Sequence, residues 1–190
     1  MLEDLKQRFG RIEEQKATLL ARVAARSDTE QMRAPRAGGG WSPRALVHHL
    51  VLAEEQTLKH VAAAAAAATE TTPGRVLASR RPLVALLAAA MRAGVPLPAP
   101  PEMTPPETDG ELLILNDAAA RWADGRRVFQ KRLEAVTVES AREPIARHPI
   151  VGPLDARHVL DLAEAHLIYH LRQAARWGTS NERASEKPAG

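Results

Sequence analysis

The chain has 190 residues, with 26 Lys and Arg against 23 Asp and Glu, a formal net charge of +3, 36 alanines, six aromatic residues and no cysteine. That length fits one domain with short tails, and its alanine-rich, aromatic-poor composition favours helices over a β-sandwich or barrel. The missing cysteines exclude disulfides, thiolate-bound zinc and a thiol nucleophile of the chain's own; with no apolar run of 18 residues and no N-terminal signal pattern, a cytoplasmic protein without a membrane partner is expected.

Apolar residues at Leu2, Leu5, Phe9, Ile12, Leu19 and Val23 follow the 3-and-4 rhythm of one helical stripe and predict a helix from about Leu2 to Arg26. Acids interleave with its bases, as in Arg11-Ile12-Glu13-Glu14, and aromatics are few, which argues against a nucleic-acid partner. Residues Arg33 to Gly40, with Pro35 and three consecutive glycines, read as a flexible connection. A second helix starts with Ser42 as N-cap and Pro43 at the first helical position, then runs through Ala62–Ala68 towards Pro73-Gly74.

A shorter helix is expected around Pro82 to Met91, followed by an extended segment from Val95 to Thr108 that contains six prolines. Thr108 with Glu111 forms a capping-box pattern ahead of a stripe made by Leu115, Ala119, Trp122, Phe129, Leu133 and Val136. A loop punctuated by Pro144, Pro149, Gly152 and Pro153 leads to a last helix from Asp155 to Trp177, with Gly178 as its C′ residue. Residues 179–190 read as a disordered tail. The expected fold is an all-α four-helix bundle with long connections and one extra short helix, over residues 1–178.

Seven histidines are present. Val159, Ala163, His166, His170, Gln173 and Trp177 form one stripe of the last helix, so His166 and His170 stand one turn apart beside the core. Such a pair can direct two imidazole nitrogens at one cation. His49 shares a stripe with Leu46, Ala53 and Gln56 and offers a third ligand, whereas His48 is rotated by 100° and His60 lies about 16 Å further along the helix. Three neutral imidazoles and one open position suit a divalent transition metal such as zinc, nickel or iron. Periodicity alone leaves open a pair of hydrogen-bonded core histidines, and His148 and His158 receive no role.

Two segments resemble a known family. Trp41-Ser42-Pro43, with His49-Leu50 eight residues after the Trp, is similar to the start of helix two in the DinB-like (damage-inducible) metalloprotein superfamily. The closing His148-Pro149, Gly152-Pro153-Leu154, His166-x3-His170 and Gln173 resemble that family's C-terminal pattern. The resemblance implies a four-helix bundle with a metal held by His49, His166 and His170 at one mouth. Relatives include metal-dependent transferases that use low-molecular-weight thiols such as mycothiol or bacillithiol. Leu167 stands where many relatives carry Glu, so a general base at that place is absent.

Three functions follow as expectations. The first is a transferase that activates an external thiol towards a small-molecule substrate, with Gln173 supporting His170 from behind. The second is a hydrolase, for which Glu54 and Glu55 are the nearest carboxylates, Glu54 being aimed 140° away from His49. The third is a non-catalytic metal-binding or interaction protein, for instance a homodimer.

Overall fold

A computed structural model describes residues 1–34, 40–68, 81–148 and 150–177, with side chains 62–68 excepted. Six α-helices are found among the described residues: α1 (Glu3–Ala24), α2 (Asp28–Met32), α3 (Pro43–Ala68), α4 (Arg81–Ala93), α5 (Leu115–Glu134) and α6 (Ala156–Ala174). Two short strands, β1 (Ala146–His148) and β2 (Gly152–Leu154), pair antiparallel with Ala146 opposite Leu154 and His148 opposite Gly152. The fold is all-α, as the composition predicts. The expected connection at 35–39, the helix end near Pro73-Gly74, Gly178 and the tail lie outside the described residues.

Helix α6 packs against α1 on one side and α4 on the other, α3 packs against α5 and β1, and α1 touches α5. The core follows the stripes: Leu5, Ile12, Leu19 and Val23 of α1, Leu46 and Val47 of α3, Trp122, Phe129 and Leu133 of α5, and Leu160 and Leu167 of α6 are all buried. Charged residues interrupt two of these stripes. Lys16 fills the gap between Ile12 and Leu19, and Arg126 falls between Trp122 and Phe129 at 4% exposure. Ala118 rather than Ala119 faces inward on α5.

The start of α5 differs from expectation. Thr108 opens a 3-10 turn at Asp109–Glu111 with no side-chain cap, the chain extends through Leu112, and α5 begins at Leu115 with Ile114 as N-cap. Leu112 is buried, so hydrophobic anchoring holds the backbone extended where the capping pattern would have begun the helix. The proline-rich segment also contains a turn of 3-10 helix at Pro101–Met103, with Pro101 at a first-turn position where its lacking N–H costs nothing.

The Ser42 cap behaves as the sequence indicates, and Asp155 adds a second at the start of α6. Ser42 Oγ accepts from the Ala45 N–H at 3.2 Å, and buried Asp155 caps α6 by accepting from the His158 N–H at 3.0 Å. Two features go beyond the expectation. Ser27 and Glu30 form a reciprocal capping box that starts α2, and the Pro/Gly-rich loop before α6 folds as the β1–β2 hairpin, with Gly152 at φ +77°. No helix among the described residues is long and apolar enough to cross a membrane.

Candidate metal centre

Helices α3 and α6 bring His49, His166 and His170 together, with one ring nitrogen of each lying within 4.8 Å of the other two. His166 Nε2 is 3.1 Å from His49 Nε2 and 2.9 Å from His170 Nε2. A tetrahedral ion with bonds of about 2.0–2.1 Å requires ligand nitrogens roughly 3.3 Å apart, so opening these contacts by a few tenths of an ångström seats one. The i, i+4 spacing on α6 supplies two rings, and α3 supplies the third.

The outer nitrogens define the chemistry of the inner ones. His49 Nδ1 donates to the Met103 carbonyl at 2.7 Å, and His170 Nδ1 donates to Gln173 Oε1 at 2.8 Å. With hydrogen on Nδ1, both rings present a bare Nε2 lone pair to the centre, the form in which histidine binds metal. Gln173 therefore stands behind His170 as the stripe predicts. The Met103 carbonyl is a partner that the sequence did not reveal, because it depends on the 3-10 turn at Pro101–Met103 docking against α3.

Electrostatics keep the rings neutral. Burial holds the His170 pKa down to about 3, with His49 adding to the effect. Burial also pushes His166 well below its ordinary value, helped by His170, His49 and His148, and lowers His49, where the Met103 hydrogen bond opposes the shift. Trp41 lies over His49 with ring centroids 4.3 Å apart and near His170 at 6.4 Å, while Tyr169 meets His170 edge-on at 5.0 Å. Trp41 thus covers one side of the cluster with an apolar ring.

The other histidines take separate places. His48 is buried and accepts from the Leu113 N–H at 3.4 Å. His148, which has no role in the sequence reading, accepts from the Ile150 and Val151 N–H groups through Nδ1 and sits within electrostatic range of His166 and His60. His158 pairs with Asp155 at 2.9 Å. Glu164, two residues before His166, does not belong to the cluster; its side chain is 12% exposed and pairs with Arg11 at 3.1 Å.

Behind His166 lies a cavity of about 50 Å³ walled by Leu50, Glu54, Thr57, Trp122, Arg126 and His166, among others. Glu54 pairs with Arg126 at 3.1 Å, and burial pushes its carboxyl above the ordinary value although Arg126 and the Trp122 indole oppose the rise. A larger groove of about 360 Å³ between the C-terminal ends of α1 and α6 contains none of the three histidines.

Comparison with known proteins matches residues 11–174 to the DinB superfamily, whereas no curated protein and no solved structure matches. The match spans α1 to α6 and includes all three clustered histidines. The chain belongs to the DinB superfamily.

Proposed function

We propose that His49, His166 and His170 hold a divalent transition metal ion, and that the protein is a transferase activating a low-molecular-weight thiol for reaction with a small electrophilic substrate. The observation that carries this reading is the convergence of three Nε2 atoms, two of them fixed as bare acceptors by Met103 and Gln173. An ion bound there leaves a coordination position open and acidifies a thiol that occupies it. The protein's own groups orient the rings, keep them unprotonated and shield one face with Trp41. Because the chain has no cysteine, the sulfur is supplied from outside.

Hydrolysis at the same centre requires a carboxylate base beside the ion. No Asp or Glu joins the three-histidine cluster among the described residues, and Glu54 is engaged by Arg126, so transfer is the reading favoured over hydrolysis. A non-catalytic metal-binding protein, alone or as a homodimer, is the remaining alternative.

Elemental analysis of protein purified without a histidine tag is the first test, with one ion per chain expected in the wild type and far less in His49→Ala and His170→Ala. Equal metal content in all three refutes the ligand assignment. Loaded protein is then assayed with a chromogenic electrophile and a panel of low-molecular-weight thiols. Turnover that requires a thiol supports transfer, turnover without thiol refutes it in favour of hydrolysis, and no turnover with any pair favours the binding role.

A further inference from the structure

The three histidines differ in one respect that bears on how an ion is held. His49 and His170 each have a protein acceptor for the outer N–H, but His166 Nδ1 has no hydrogen-bond partner among the described residues. Its Nε2 faces two nitrogens that are themselves bare, so without a cation His166 carries its hydrogen on Nε2 and shares it with them. To donate a lone pair to a cation, the ring must carry that hydrogen on Nδ1 instead. Ligating histidines almost always hand their second N–H to an acceptor, which fixes the tautomer and raises ligand basicity.

A cavity walled by His166 has room for such an acceptor. Its volume of about 50 Å³ exceeds the roughly 10–15 Å³ that one water requires. It is polar as well as roomy. Arg126 Nη1 is buried and without a hydrogen-bond partner, and the Trp122 indole N–H lies beside Glu54 but outside hydrogen-bond geometry. Thr57 Oγ1 spends its hydrogen on the Ala53 carbonyl at 2.9 Å and keeps lone pairs free to accept. A water held there would have His166 Nδ1 and Arg126 Nη1 as donors and Glu54 and Thr57 as acceptors, enough for all four of its hydrogen bonds.

We propose that Glu54, through ordered water in this cavity, takes up the Nδ1–H that His166 must present when it binds a cation. Glu54 is then a positioning residue that acts on the centre from α3 without touching the ion, in the role that Met103 plays for His49 and Gln173 for His170. The inference rests on the three-histidine reading.

The test titrates Co²⁺ into full-length, chelator-stripped, tag-free protein and compares wild type, His170→Ala, Glu54→Gln and Ala163→Val. Ala163→Val fills the same cavity without altering a charge, so it answers the question if Glu54→Gln fails to fold. Both cavity variants are expected to bind Co²⁺ about tenfold more weakly and to change its visible absorption. In zinc-loaded protein, the His166 Nδ1–H signal in NMR is expected to exchange slowly in wild type and at least tenfold faster in the variants.

A purely structural role lowers the melting temperature but leaves the Co²⁺ affinity, spectrum and proton exchange as in wild type; that result overturns the proposal while His170→Ala still shows the ligand set to be right. Wild type that binds no Co²⁺, or His170→Ala that binds it equally well, overturns the three-histidine reading and the proposal with it.

Discussion

Replacing Arg126 by Met removes the one cation paired with Glu54 among the described residues while roughly keeping the side-chain volume. Arg126 is 4% exposed, its Nη2 lies 3.1 Å from Glu54 Oε2, its Nε lies 3.4 Å from Glu13 Oε1, and its guanidinium sits 5.7 Å from the Phe9 ring. Glu13 retains Lys16, but Glu54 is left as a buried carboxylate with no ion pair among the described residues. Breaking a buried pair from one side costs about 3 kcal/mol or more, which in a chain of this length lowers the melting temperature by roughly 6–12 °C at pH 7.

The sign of the pH effect follows from Glu54. Its folded-state pKa lies above the ordinary 4.5, so its contribution to stability is fully present below 4.5 and is lost as pH rises through the folded value. Removing Arg126 deletes the largest opposing influence, raises that value further and widens the window. The variant is therefore expected to regain about 1–2 kcal/mol relative to wild type between pH 7 and pH 5, within the roughly 2.7 kcal/mol that one group can give over two pH units. Glu54→Gln/Arg126→Met should be more stable at pH 7 than Arg126→Met alone. Urea unfolding at both pH values measures all three quantities. A loss below 1 kcal/mol, an equal loss at pH 5 and pH 7, or a double variant no better than the single one refutes the reasoning.

Asp155→Ala removes the α6 N-cap bond to the His158 N–H and should cost about 1 kcal/mol, read as a melting temperature some 2–4 °C lower; an unchanged midpoint counts against the cap. Metal-free protein should lose stability as pH falls from 6.5 towards 3, because the unfolded chain takes up protons that buried His170 refuses, and His170→Asn should flatten that acid limb. An unaltered limb in the variant means that the ring is not held neutral by burial. Leu160→Ala, at a fully buried α6 position, should cost about 3 kcal/mol in chemical unfolding, and a cost under 1 kcal/mol would mean that the core around α6 is loosely packed. Saturating zinc should raise the wild-type melting temperature by several degrees, since a ligand at 100 times its Kd adds about 2.7 kcal/mol; His49→Ala should show no such rise.

Helical periodicity made much of the fold legible, because 3.6 residues per turn tie spacing in sequence to direction in space. The stripe of α1, the Ser42 cap and the shared face of His166 and His170 all depend on neighbours within one helix, so the chain specifies them locally. The convergence of His49 on that pair was legible too, from its stripe on α3 and from the spacing to Trp41. Capping patterns were less dependable: Thr108 and Glu111 carry the right residues, yet burial of Leu112 holds the backbone extended and delays α5 to Leu115.

The composition by itself determined an α-helical chain, and the lack of cysteine leaves histidine and carboxylate as the ligands available to any metal. Tertiary structure alone decided which group stands behind His49. The Met103 carbonyl arrives from a turn 54 residues after His49, and Arg126 becomes tolerable inside the bundle only because Glu13 of α1 and Glu54 of α3 meet it there. A charged residue within an apolar stripe reads as exposed until its partners are placed, since the desolvation cost that would expel it is offset by groups distant in sequence. The same packing sets Glu54 against the cavity behind His166, a juxtaposition that no spacing along α3 could announce.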